Sequence, residues 1–178
     1  MAAHETLNTA RLTLRRPTAA DADAIFERYA ADPVVTRYLS WPMHRTLADT
    51  RVFLEWSDAE WEKGPSGPLL AFSRDDGRLL GGTGLAFPSR TEAVTGYVFA
   101  RSAWGQGYAT ESTLAMVELA RTLGIQRLEA ICHVDHRASA HVLEKCGFLL
   151  EAIRRNDTQF PNLAPGRKFD VFAYARIF

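Results

Sequence analysis

The stretch Trp104-Gly105-Gln106-Gly107-Tyr108-Ala109-Thr110 lies between an apolar, strand-like run and a strongly helical one. Its two glycines and one alanine leave the backbone bare where a helix begins. A helix start carries up to about four unpaired N–H donors and roughly half a positive charge. Bare, glycine-rich backbone at such a point is a seat for a phosphate or pyrophosphate. The ligand held there is the first clue to function.

Downstream, Ala109 to Leu123 is predicted as a helix ended by Gly124, and Arg127 to Val134 as a strand. Arg137 to Cys146 reads as a short helix closed by Gly147, followed by strands over Phe148 to Asp157 and Lys168 to Ile177. Upstream lie strands over Leu69 to Ser73, Arg78 to Phe87 and Ala93 to Ala100, the first two joined by the hairpin turn Asp75-Asp76-Gly77. Thr46 to Trp61 reads as an amphipathic helix with Val52, Phe53 and Trp56 as its buried stripe. A helix over Ala19 to Ala31, broken at Asp32-Pro33, and a strand over Arg11 to Arg16 complete the chain. These elements predict an α+β fold, a mixed central sheet of about seven strands flanked by about four helices. With no repeat, low-complexity tract or linker, residues 1–178 read as a single domain.

Composition narrows the function classes. Lys plus Arg and Asp plus Glu both number 21, so the formal charge is zero, which argues against a nucleic-acid partner. A local basic patch remains at Arg154 and Arg155. The segment Met1 to Thr9 is polar, unlike a signal peptide, and no apolar run approaches the ~20 residues of a membrane span. Cys132 and Cys146 are then expected as reduced thiols, in a cytoplasmic protein that is a monomer or homodimer. His133, His136 and His141 do not share a helical face, and no H-E-x-x-H or paired-cysteine pattern occurs, so no metal is expected.

Two phosphate-binding readings of the glycines fail. A dinucleotide fold needs G-x-G-x-x-G in an opening βαβ unit, whereas this chain has Gly105-x-Gly107-x-Ala109. A phosphate-loop NTPase needs a Lys after its glycines, and none follows.

The residues instead resemble the GCN5-related N-acetyltransferase (GNAT) superfamily, in particular its branch of ribosomal-protein N-terminal acetyltransferases. That family's acetyl-CoA loop, Q/R-x-x-G-x-G/A, maps onto Trp104 to Ala109, and the branch's G-Y-A-T-E continuation matches Gly107 to Glu111. A second block, N-x-x-S-x-x-V-L-E-K-x-G-F, matches His136 to Phe148 except at its first residue. Thr9 to Arg15, Trp41 to Arg45 and Phe169 to Ala175 also look like this branch.

The resemblance implies a sheet splayed at a bulge in the fourth strand, where backbone at Val98, Phe99 and Ala100 meets the pantetheine arm of acetyl-CoA. It implies that Gly105, Gln106, Gly107, Tyr108 and Ala109 cradle the pyrophosphate. Trp104 either packs under the loop or touches the ligand, and Thr110 either donates to a phosphate or caps the helix. His136 stands where the family has a cofactor-contacting, helix-capping asparagine, with Asp135 a substitute cap.

Many members place an acidic tyrosine where this chain has Leu143. Ser139, one turn earlier on the face shared with Leu143 and Cys146, is the catalytic candidate for protonating the departing thiolate. It could equally bond only to backbone. The implied reaction is direct attack of a primary amine on acetyl-CoA, with acceptor specificity from Ser40 to Arg45; Glu92, Asp135 and Asp170 read first as solvated surface carboxylates and second as water relays. The acceptor is expected to be a protein N-terminus or a small amine. The alternative is a non-catalytic acyl-CoA-binding sensor of the same fold.

Overall fold

The structure, a computed structural model, describes residues 5–178, so the polar N-terminal reading falls partly on residues 1–4, outside the described residues. Eight strands form one sheet: β1 (Thr6–Asn8), β2 (Leu12–Arg15), β3 (Pro68–Ser73), β4 (Leu79–Ala86), β5 (Glu92–Phe99), β6 (Arg127–His133), β7 (Leu149–Gln159) and β8 (Lys168–Ile177). Their spatial order is β1-β2-β3-β4-β5-β6-β8-β7. The helices are α1 (Ala22–Ile25), α2 (Leu47–Lys63), α3 (Tyr108–Thr122) and α4 (Arg137–Lys145). Strand β1 is the addition to the expected seven; its three residues pair with β2 through Leu7↔Leu14. The first predicted helix is real but mixed, with a 3₁₀ turn at Ala19–Asp21 before α1 and a π turn at Phe26–Ala30 after it.

All neighbouring strands are antiparallel except β5 and β6, which run parallel and pair only at Glu92↔Arg127, Ala93↔Leu128 and Val94↔Glu129. Beyond that point β5 stays on β4 as far as Gly81↔Phe99, while β6 stays on β8 as far as His133↔Val171. The sheet therefore splits into a wedge. The pairing of β5 with β4 has no register shift, so the split arises without the expected bulge. Gly81 makes the close β4–β5 approach possible, since a Cβ there would stand 2.1 Å from the Val98 carbonyl oxygen.

The main core forms where α3 and α4 cover β2, β5, β6 and β8, with Leu14, Met116, Val117, Leu128 and Phe148 all but fully buried. Helix α2 corrects the expected stripe. It buries Thr50, Leu54, Ser57 and Trp61, whereas Val52 and Trp56 are 63% and 52% exposed. The small Thr50 and Ser57 let this face lie close against its neighbours, and that turns the predicted apolar stripe outward. Phe53 packs only at the margin of the second core cluster, around Ile25, Tyr29 and Leu54.

Candidate active site

The wedge between β5 and β6 opens into a cleft of about 490 Å³ lined by both strands, α2, α4 and the segment before α2. Chain geometry leaves its edge unpaired. The Ala100 amide donates to the Leu80 carbonyl at 2.8 Å. Such bonds alternate along an antiparallel pair, so the amide of Val98 also turns to β4 while those of Tyr97 and Phe99 face the wedge. Of the three expected backbone positions, Val98 lines the cleft, Phe99 turns its amide to the open edge of β5, and Ala100 does neither. The Phe99 carbonyl is engaged by the Trp104 indole N–H at 2.7 Å. That bond makes Trp104, half exposed, a brace between the loop and the end of β5.

At the end of β5 the chain turns through Gly105 (φ 74°) and Gly107 (φ 81°) into α3. This left-handed backbone favours glycine. The helix opens one residue earlier than predicted, with Gly107 as its N-cap and no side-chain cap. Thr110 is consequently the third helical residue, outside the capping position. Among the described residues, the amides of Gly105 through Thr110 have no protein acceptor. Successive free amides at a helix start, on backbone without bulk, fit a pyrophosphate.

Arg11 holds this loop in place. Its guanidinium donates to the Gln106 carbonyl at 2.9 Å, lies 4.5 Å from the Tyr108 ring centroid and pairs with Glu111 at 2.7 Å. Glu111 also accepts from the Thr9 hydroxyl at 2.6 Å and the Arg11 amide at 2.8 Å. Burial alone would raise the Glu111 carboxyl, but these donors more than offset it and hold it below its ordinary range. Arg11 and Glu111 both lie inside matched motifs, but no local pattern in the sequence brings the two together.

Ser139 lines the cleft from the first turn of α4, with the Tyr97 hydroxyl 2.9 Å from its Oγ. Burial pushes the Tyr97 phenol well above its ordinary value, so it stays protonated. Leu143, one turn on, is 2% exposed. A tyrosine hydroxyl does stand beside Ser139, but it comes from β5 instead of α4. Cys132 and Cys146 are buried free thiols, both pushed up to about 11 by burial, and so poor nucleophiles at neutral pH.

His136 occupies the N-cap position of α4 without capping it, because its ring lies 4.8 Å from that of Tyr38 and lines the cleft. Asp135 does not cap either; its amide donates to His133 Nδ1 at 3.0 Å. His133 is buried among Tyr38, Phe160 and Phe169, while His141 sits on the surface beside Glu144. Glu92, Asp135 and Asp170 all lie outside the cleft, Asp170 engaged with Arg155 and the Asn156 amide. The titratable bases that do line it are His44, His136 and Glu60. His44 belongs to the segment expected to choose the acceptor. Asn162 staples that segment, accepting from the Met43 amide at 2.8 Å and donating to the Thr36 and Trp41 carbonyls.

Comparison with known proteins names the class. The model of the acetyltransferase (GNAT) domain family matches residues 11–149, and the chain belongs to that family. It is an acetyltransferase. Among curated relatives, an N-acetyltransferase p20 of Bacillus licheniformis is 26% identical over 174 residues, spanning 96% of this chain and 95% of that one. YkkB of Bacillus subtilis (strain 168) is 32% identical, spanning 83% and 87%. The fold is shared with a RimL ribosomal L7/L12 α-N-protein acetyltransferase in complex with coenzyme A (TM-score 0.85, 24% identity, 98% of each chain). It is shared also with an acetyltransferase from Salmonella typhimurium that modifies the N-terminal serine of L7/L12 (TM-score 0.82, 24% identity, 96% of each chain). Among the described residues, no helix is long and apolar enough to cross a membrane.

Proposed function

We propose that this chain, acting as a single cytoplasmic domain, transfers the acetyl group of acetyl-CoA to a primary amine by direct attack in a ternary complex. The observation that carries this reading is the split between β5 and β6, with an unpaired strand edge along one side and the free amides of Gly105 to Thr110 at its end. The loop takes the pyrophosphate. The Tyr97 and Phe99 amides take the pantetheine carbonyls and the thioester oxygen, where a well-placed donor is worth about 100- to 1000-fold in rate.

In the transfer itself the amine nitrogen bonds to the thioester carbon as the carbon–sulfur bond breaks. The departing sulfur takes a proton from Ser139, whose hydroxyl Tyr97 orients, and the serine is reprotonated through cleft water by the proton that the amine gives up. The amine sheds its proton to cleft water and then to His44 or His136. Burial lowers both imidazoles, which are thus neutral near pH 7. An α-amine (pKa about 7.7–8.0) is easier to deprotonate than a lysine (about 10.4), which supports a peptide N-terminus or a small amine of similar basicity as acceptor. The shared fold of the ribosomal-protein acetyltransferases supports the same branch.

Mass spectrometry of peptides and small amines incubated with acetyl-CoA tests the reading. A 42 Da gain on an amine, about one per acceptor molecule, is expected. Tight acetyl-CoA binding with no acetylated product from any amine would overturn it.

A further inference from the structure

The wall of the cleft away from the glycine loop is aromatic. Trp41, His44, Phe53 and Trp56 form a ladder with ring centroids 5.2, 6.4 and 5.9 Å apart in succession. Tyr38 and Phe160 add two more rings, and all six side chains line the one cavity. Trp56, packed against Phe53, is still half exposed on a helix whose other face is buried. An exposed tryptophan at the mouth of a cleft is what a ligand-binding wall looks like.

Charge is as informative as shape. Among the described residues, no lysine or arginine lines the cleft, and its only carboxylate is Glu60, which is paired with Lys63 at 2.6 Å. Burial lowers the His44 imidazole, which is thus uncharged near neutral pH despite Asp49 nearby. Aromatic faces attract an ammonium group, and nothing here would compensate a carboxylate or phosphate. The wall is also held in place. Besides the Asn162 staple, the His44 amide donates to the Ala30 carbonyl at 3.0 Å and His44 Nδ1 is 2.9 Å from the Thr50 hydroxyl.

We infer that the acceptor is a primary amine carrying a bulky apolar or aromatic body, which lies on the Trp41–His44–Phe53–Trp56 wall, and that acidic acceptors are rejected. This rests on the acetyltransferase reading above and deepens it. The chemistry could come from a peptide led by Phe or Leu, or from a free arylalkylamine.

The test compares kcat/KM for peptides led by Phe, Gly and Asp, and for phenethylamine. The Phe-led peptide should exceed the Gly-led one by about ten- to hundredfold, the span expected for burying one such side chain. The Asp-led peptide should be the poorest. Comparing phenethylamine with the Phe-led peptide separates the two sources. Trp56→Ala should cut the advantage in kcat/KM of the Phe-led over the Gly-led peptide by about tenfold. Equal rates across the panel, a preference for the acidic peptide, or a Trp56→Ala variant with its preference intact would overturn the inference. Should no amine be acetylated, calorimetric binding of the same amines to the coenzyme A-loaded protein decides separately. Tighter binding of phenethylamine than of glycinamide then sustains the aromatic site while the transfer reading fails, and equal binding overturns both.

Discussion

Ser139 and Tyr97 approach each other from elements 42 positions apart in sequence, and their hydroxyls meet at 2.9 Å on the lining of the cleft. The two can be separated by mutation. Ser139→Ala removes the proposed proton donor and should lower kcat by about 100-fold, the lower end of general-acid effects, with acetyl-CoA affinity within about twofold. Tyr97→Phe leaves the serine in place but unoriented. Losing one neutral hydrogen bond corresponds to about three- to tenfold in kcat. Steady-state kinetics beside calorimetric acetyl-CoA titration reads both changes. An alanine variant with unchanged kcat would remove Ser139 from the mechanism. This pair also shows where sequence reading stops. That Leu143 stands where many family members have a tyrosine comes from the resemblance, and that Ser139 shares its face follows from i and i+4 spacing. The replacement hydroxyl on β5 depends on how far the wedge opens, which no local pattern encodes.

At the scale of elements, the loop that opens α3 is set by a strand at the other end of the chain. Arg11, just before β2, links the Gln106 carbonyl, the Tyr108 ring and the Glu111 carboxylate. Glu111→Gln should loosen this clamp and weaken acetyl-CoA binding by about tenfold, the worth of one charge-assisted contact, with kcat at saturation within about twofold. Calorimetric titration with coenzyme A measures it. The loop itself was legible, because its glycines sit at a helix start inside a motif matched again at His136 to Phe148; its brace was not, since 100 positions separate Arg11 from Glu111. Helix α2 is the reverse case. Its length was plain from Thr46 to Trp61, but the face it buries was misjudged. Hydrophobicity points Val52 and Trp56 inward, whereas close packing through Thr50 and Ser57 turns them out. Strand β1 was invisible because three polar-flanked residues carry no alternation until β2 pairs with them. The π turn at Phe26–Ala30 was invisible too, since helical spacing does not report which carbonyl an amide chooses.

For the molecule as a whole, acid sensitivity should have two stages. Burial lowers His44, His133 and His136 below the ordinary imidazole value. An unfolded chain therefore binds more protons than the folded one below about pH 6.5, and stability falls as pH drops through that range. The carboxyls of Asp21, Glu111 and Glu129 are held low in the fold. Their contribution is full above about pH 4 and is lost as pH falls below it. Scanning calorimetry from pH 8 to 3 should show Tm falling by about 2–4 °C before the carboxylate range is reached. His133→Phe should flatten that first slope, whatever it does to the absolute Tm. The short parallel pairing of β5 with β6 bears on the whole molecule as well. With three residue pairs between them, strands β1 to β5 and strands β6 to β8 are two half-sheets sharing one seam. The donor proposed to bond along the open edge would be, in effect, a temporary strand, so that each turnover would complete the sheet and then dismantle it.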